Sequence, residues 1–93
     1  MQILEKTREI PRDGSFLEVT YRLTQSEKVI EDELVTVYGL GIYQKDRVSK
    51  KETYFERDDI STKKEFVHNL FDLIERHTVL TIGADDIIEE YIN

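Results

Sequence analysis

The chain contains no cysteine and no tryptophan, and it has only one proline and four glycines in 93 residues. Without cysteine it can form no disulfide framework, thiolate nucleophile, zinc ribbon or iron–sulfur cluster. Small secreted domains usually need such a cross-link. No apolar run approaches the roughly 20 residues of a membrane span, and the segment Met1–Lys6 lacks the apolar stretch of a signal peptide. We therefore expect a cytoplasmic protein that makes no membrane contact.

Positive charge is also scarce, since 13 basic residues face 20 acidic ones and the formal net charge is −7. This charge repels a phosphate backbone and disfavours nonspecific binding to DNA or RNA. Charged residues make up 35% of the chain and apolar residues 39%, yet the aromatic and branched side chains follow regular patterns. Such patterning indicates a folded chain rather than a disordered one. Its length predicts a single domain, residues 1–93.

Before residue 60 the apolar residues repeat at every second position, which predicts strands. The predicted strands are 2–10, 16–24, 33–44 and 48–57, joined by turns or polar connections at 11–14, 25–32 and 45–47. The second strand is apolar on one face only, so one side is buried and the other is wet. The third is apolar on both faces, which favours a central position, and the polar fourth suits an edge.

After residue 60 the apolar spacing changes to three and four, which predicts two helices. The first follows Asp58–Thr62, with Thr62 as its cap and Glu65 completing a capping box. Its predicted buried stripe is Phe66, Val67, Leu70, Leu73 and Ile74. The second is predicted at 84–92, with Ile87, Ile88 and Tyr91 inward and Asp85, Asp86, Glu89 and Glu90 outward. This order predicts an α+β protein: a four-stranded antiparallel sheet (1–57) with two C-terminal helices (58–93) packed on one face.

The segments Tyr38–Ile42, Asp58–Thr62 and Asp85–Ile92 resemble a family of small uncharacterised proteins of Gram-positive bacteria. The resemblance covers roughly residues 33–93, and one departure is Thr81, where the family frequently has proline. It implies a bacterial, cytoplasmic, single-domain protein. Because the family is a domain of unknown function, the resemblance implies no activity, cofactor or catalytic residue.

Three groupings share features with functional motifs, but each has a simpler structural explanation. Gly39 and Gly41 lie inside a strand, where glycine marks a kink, a bulge or a close approach by a helix, whereas a phosphate loop needs a strand-to-helix turn and a third glycine. His68 and Asp72 are four residues apart on a helix, and this spacing predicts a weak ion pair. Two side chains are too few ligands for a zinc site. The acidic last helix lacks the spacing of a calcium loop, although it offers a handle for a basic partner. We expect no enzyme, cofactor or metal site.

One basic cluster interrupts the acidic sequence: Lys45, Arg47, Lys50 and Lys51, flanked by Tyr43, Tyr54 and Phe55. Basic groups beside stacking aromatic rings are typical of proteins that bind single-stranded nucleic acid. Asp46 and Glu52 interrupt the cluster, and the net charge of the chain opposes such binding.

The second face of the third strand carries Val35, Val37 and Tyr43, which need cover that helices on the other face cannot give. An uncovered apolar patch can mark an interface, and a homodimer is its simplest form. Cover by the N-terminal strand or by sheet curvature is the alternative. The leading hypothesis is a small non-catalytic interaction or regulatory module. The first alternative is an accessory nucleic-acid or ribonucleoprotein binder acting through residues 45–51. The second is an enzyme or metal protein built around His68 and Asp72.

Overall fold

The computed structural model describes the whole chain, residues 1–93, and confirms the predicted α+β class. A four-stranded antiparallel sheet has its strands side by side in chain order, and two C-terminal helices pack on one face. The strands are β1 (Gln2–Arg12), β2 (Ser15–Ile30), β3 (Glu33–Asp46) and β4 (Glu52–Ser61). The helices are α1 (Lys64–Arg76) and α2 (Thr81–Ile92). As predicted, the third strand is interior and the fourth lies at an edge.

The largest departure from the prediction is the length of β2. The polar connection expected at 25–32 is wrong, because β2 continues to Ile30 in register with β3. Only Glu31 and Asp32 remain to form the turn. Pairing through backbone hydrogen bonds does not require apolar side chains. A strand made of polar residues, as in this segment, therefore leaves no alternating apolar pattern in the sequence. The fourth strand is also displaced, beginning at Glu52 rather than 48.

A single core lies between the helix-facing side of the sheet and the two helices. Its buried residues are Leu17, Val19, Tyr21 and Leu23 of β2, Leu40 and Ile42 of β3, Val67, Leu70, Phe71 and Ile74 of α1, Val79 of the connection, and Ala84 and Ile88 of α2. The alternation predicted in β2 is thus confirmed. Phe66, Leu73 and Ile87 are partly buried against this core, and Tyr91 packs its ring against Phe66 at a centroid distance of 5.1 Å.

Both helix starts differ from the prediction. The capping box is wrong, because α1 begins at Lys64 and no side chain caps it. The second helix begins at Thr81 rather than 84, and its first backbone N–H donates to Gln44 Oε1 of β3 at 3.2 Å. Helix N-termini leave N–H groups without intrahelical partners. A side chain distant in sequence therefore stabilises the start of α2, and no local pattern can reveal it.

Two polar contacts attach the end of α1 and the connection that follows it to the sheet. Tyr21 is fully buried and donates its hydroxyl to the carbonyl oxygen of Val79 at 2.9 Å, and burial raises the pKa of Tyr21 to about 12. Arg8 of β1 donates to a Glu75 carboxylate oxygen at 2.8 Å. This hydrogen bond, together with the charge of Arg8, holds the pKa of Glu75 below its ordinary value of 4.5.

We predict that Glu75 makes part of the stability depend on pH. Because its pKa is lower in the folded chain than in the unfolded one, its carboxylate stabilises the fold fully above the unfolded pKa and loses this effect as the pH falls through the folded pKa. Glu75→Gln removes that contribution. The free energy of unfolding, measured by urea denaturation from neutral pH downward, should then fall less steeply below the ordinary pKa of 4.5 than in wild type.

The slope should decrease rather than vanish, since the pKa values of Asp46 and Asp59 are lowered as well. Identical slopes for Glu75→Gln and wild type would show that the Arg8 contact contributes nothing to acid stability.

Candidate interaction surface

Residues 26–37 form a two-stranded ribbon that extends beyond the rest of the sheet. On one side, the N-terminal segment pairs with β2 as far as Gln25, which exchanges backbone hydrogen bonds with Met1 at 2.7 Å. On the other side, the pairing of β4 with β3 reaches only Tyr38. Beyond these points β2 and β3 pair with each other alone, up to Ile30 and Glu33. The molecule is accordingly elongated, with extents of 52 × 23 × 19 Å. We call residues 26–37 the ribbon.

The far part of the ribbon exposes aliphatic side chains. Val29 and Leu34 are directly opposite each other and point to the same side as the core residues of their strands. The helices do not reach them, and each is 67% exposed. Ile30, on the other face, is 42% exposed. Opposed side chains on paired strands are in contact, so Val29 and Leu34 form one continuous apolar spot, which is a feature of interaction sites.

Acidic residues surround this apolar spot. The carboxylates without an ion-pair partner are Glu27, Glu31, Asp32 and Glu33. Both turn residues have positive φ, 49° at Glu31 and 65° at Asp32, a conformation that usually selects asparagine or glycine in such turns.

An ion pair attaches the ribbon to β4. Lys28 donates a hydrogen bond to Asp59 of β4 at 2.7 Å. This hydrogen bond raises the pKa of Lys28 and lowers that of Asp59.

The three residues predicted as an interface are not gathered in one patch. Val35 is half-buried on the ribbon, and Val37 is only 4% exposed at its base. Tyr43 follows Val35 by eight residues in β3, which is about 26 Å at the usual rise per residue. Its half-buried ring lies near Tyr54, with the centroids 6.4 Å apart. An interface role for these residues stays a prediction, although Val37 is too deeply covered to be a primary contact.

A bulge of β4 lies beside Val37. Where β4 passes Gly39, three of its residues (58–60) oppose that single glycine, and Asp58 and Asp59 border the same surface depression as Val37. A β-carbon on Gly39 would lie 2.2 Å from the carbonyl oxygen of Arg57 and 2.3 Å from the Cα of Asp58. No larger residue fits without moving the backbone. This confirms the interpretation of Gly39 as the site of a bulge, although the backbone that approaches it closely belongs to β4 and not to a helix.

We predict that Gly39→Ala and Gly41→Ala have different effects. A methyl group at Gly39 meets the backbone of β4, so the variant should lose about 1–3 kcal/mol of unfolding free energy, as overpacked sites do. A methyl group at Gly41 meets its nearest atom, Tyr54 Oη, at 3.6 Å, an ordinary contact, so that variant should stay within about 0.5 kcal/mol of wild type. Urea denaturation of both proteins measures the difference. Equal stability would mean that the bulge does not press on Gly39.

The predicted basic patch lies at the opposite end of the molecule from the turn of the ribbon. Its residues Lys45, Arg47, Lys50 and Lys51 are together at the turn between β3 and β4. Arg47 donates to Glu18 at 2.9 Å, and Lys45 lies across the strands from Glu18 and Glu52. Acidic side chains therefore interleave the patch, and nucleic-acid binding there stays a prediction that the charge pattern does not favour.

Asp46 fixes the conformation of this turn. Its carboxylate accepts hydrogen bonds from the backbone N–H groups of Val48 and Ser49 and from the hydroxyl of Ser15, each at 3.0 Å. These bonds hold the pKa of Asp46 below its ordinary range. Two apolar side chains nearby reach solvent, Phe16 at 52% and Val48 at 68% exposure. We call this end, residues 12–16 and 45–51, the basic end.

The polar groupings predicted on the helices are small and solvated. His68 Nδ1 lies 3.8 Å from Asp72 Oδ2, and their side chains are 43% and 40% exposed. On α2, Asp85 and Glu89 both face Arg57 of β4, at 3.5 and 2.6 Å. Two of the acidic residues of α2 are therefore engaged in ion pairs within the chain. No three His, Asp or Glu side chains lie close enough together to hold a metal ion.

A shallow cavity of about 210 Å³ opens on the face of the sheet opposite the helices. Its buried atoms Arg22 Nε and Thr24 Oγ1 have no hydrogen-bond partner in the chain, and Arg22 lies 3.5 Å from a Glu5 carboxylate oxygen. Glu56 and Asp58 border the same cavity. Charges of both signs meet there, so the cavity gives no preference to a ligand of one charge.

Reasoning from the sequence missed Val29, Ile30 and Leu34, because it assigned them to a connection or to a strand face with other neighbours. A signal was present: aliphatic pairs stand on both sides of Glu31–Glu33, the symmetry of a hairpin with a short turn. The turn lacks the Asn-Gly or Asp-Gly pair that normally identifies such a hairpin in a sequence.

The fold and these surfaces define a small α+β domain with a half-covered meander sheet and a projecting ribbon. The chain belongs to the family of unknown function DUF6514, whose family model matches residues 1–93. The match confirms the resemblance to a domain of unknown function and extends it from residues 33–93 to the N-terminal hairpin. No curated protein and no solved structure shows a significant match. None of the helices has the length and apolar character needed to cross a membrane.

Proposed function

We propose that this chain is a small, non-catalytic cytoplasmic interaction module that binds another protein through the ribbon. The observation that carries the proposal is the facing pair Val29 and Leu34, each 67% exposed on the side of the sheet that is buried elsewhere. Removing aliphatic surface from water stabilises a complex by about 25 cal/mol per Å². A partner that covers the pair gains this stabilisation without any rearrangement of the core.

The backbone of the ribbon supports the same proposal. Each of its strands pairs on one side only, from Ser26 to Ile30 in β2 and from Glu33 to Val37 in β3. Unpaired strand edges are recognised by other proteins through added strands, and alternate side chains then provide specificity. The acidic rim disfavours nonspecific aggregation through the apolar spot and selects a partner surface with positive charge.

The proposed location rests on the sequence. A domain of 93 residues without cysteine is typical of reducing compartments, because secreted domains of this size usually depend on disulfides.

We predict that Val29→Ser combined with Leu34→Ser abolishes partner capture. Tagged wild type and variant are used as baits in lysate of the source organism, and captured proteins are compared by quantitative mass spectrometry. The protein enriched by wild type is then purified and titrated against both baits by calorimetry. Loss of two central aliphatic contacts should weaken binding at least about tenfold, since central contacts each contribute more than about 1 kcal/mol.

Ile82→Ser is the matched control, because Ile82 is 94% exposed on α2 and its replacement removes similar apolar surface elsewhere. It should bind as wild type does. Both variants should unfold at temperatures close to wild type, since exposed positions affect stability little. The proposal is wrong if the ribbon variant captures and binds the same proteins as the Ile82→Ser control.

A further inference from the structure

We propose that the partner of the ribbon is a second copy of the same chain. In this dimer the two long axes are antiparallel, and the ribbon of each chain contacts the basic end of the other. The inference rests on the proposed function and names its partner.

Unpaired charges of opposite sign predominate at the two ends of the chain. The ribbon carries the unpaired carboxylates Glu27, Glu31, Asp32 and Glu33, whereas the basic end carries the unpaired cations Arg12, Lys45, Lys50 and Lys51. Asp13, Asp46 and Glu52 lie among these cations and reduce their excess. Charges of opposite sign on two surfaces of one chain make that chain complementary to itself.

Exposed apolar side chains are present at both of these ends. The ribbon exposes Val29 and Leu34, and the basic end exposes Phe16 and Val48. Each end therefore combines aliphatic or aromatic surface with charge of one predominant sign. Interfaces commonly have such an apolar centre with a polar rim, and here the two rims are of opposite sign.

The length of the molecule determines how these ends can meet. The sheet is an antiparallel meander, so the turn at Glu31 and Asp32 lies at one end of its long axis and the turns at 13–14 and 47–50 lie at the other. With a long axis of 52 Å, the ends of one chain cannot contact each other. Two antiparallel chains satisfy both ends at once, in two identical contacts related by a two-fold axis.

If the chains associated head to tail, the ribbon of each chain would contact the basic end of the next. The last chain would always have one end without a partner, so the assembly would grow into filaments. The net charge of −7 on each chain opposes either assembly. Screening within about 8–10 Å at physiological ionic strength weakens this distant repulsion more than the close contacts. The expected assembly is a reversible dimer that dissociates on dilution.

Charge exchange tests the inference. One variant reverses the ribbon (Glu31→Lys with Glu33→Lys) and another reverses the basic end (Lys50→Glu with Lys51→Glu). A matched control, Lys63→Glu with Lys64→Glu, makes the same change in net charge as the basic-end variant, at exposed positions at the start of α1. Sedimentation velocity over a range of concentrations measures the mass of each protein and of mixtures.

Wild type and the α1 control should form dimers, and each reversed variant alone should dimerise at least tenfold more weakly. An equimolar mixture of the two reversed variants should regain the dimer mass, because each ribbon then meets a basic end of opposite sign. This rescue cannot come from misfolding or from a change in net charge. Wild type that remains monomeric at every concentration, a mixture that is not rescued, or masses growing beyond a dimer would each overturn the inference.

The outcome also separates this inference from the proposed function. Monomeric wild type that still binds another protein in a manner dependent on Val29 and Leu34 overturns self-association alone. Capture and self-association that are both indifferent to these two residues overturn the ribbon as a binding surface.

Discussion

The central hairpin is far longer than the elements that pack on it, and the rest of the structure follows from this mismatch. β2 has 16 residues and spans about 53 Å at the usual rise of a strand. α1 has 13 residues and spans about 20 Å at the rise of a helix. Two such helices side by side cover one end of the hairpin and leave the other without a layer above it. The chain therefore has a conventional core and, continuous with it, a ribbon that lacks one.

The covered end is fixed by several independent contacts. Buried side chains of β2, β3 and both helices interlock there, and polar bonds attach the helices to the sheet. Tyr21 binds the connection between the helices, Arg8 binds the end of α1, and Gln44 binds the start of α2. The ribbon has no comparable support beyond the Lys28–Asp59 pair at its base. A two-stranded hairpin alone is only marginally stable in water, so the ribbon is the part of the chain that a partner would stabilise most.

The sequence predicts the covered end well and the ribbon poorly, for one physical reason. Alternation from Leu17 to Leu23 and the helical stripe around Leu70 record burial, and burial is what amino-acid patterns report. Residues 25–30 form an equally regular strand, yet their pairing depends on backbone groups that every residue possesses. Gly39 could be interpreted as a bulge because glycine itself is the signal. The contact of Gln44 with Thr81 joins residues 37 positions apart and leaves no local trace.

The distribution of charge along the long axis connects the fold with its proposed role. A chain whose net charge is −7 nevertheless gathers several of its cations at one end and an unbroken run of acidic residues at the turn of the ribbon. Net charge alone would suggest an inert soluble domain. Because successive strands of the meander run in opposite directions, the turns at residues 13–14 and 47–50 lie at one end of the molecule and residues 31–32 lie at the other. The exposed aliphatic pair stands beside the acidic turn, where a complementary surface can reach both.

Residue-resolved amide hydrogen exchange of the dilute, unassociated protein tests the central claim most directly, namely that the ribbon is a regular but uncovered extension of the core. Local opening of an uncovered segment needs much less free energy than global unfolding. The cross-strand amides of residues 26–30 should therefore exchange orders of magnitude faster than those of residues 17–23 in the same strand, while still slower than an unfolded chain. Equal protection along the whole of β2 would contradict the account, because it would mean that the ribbon unfolds only together with the core.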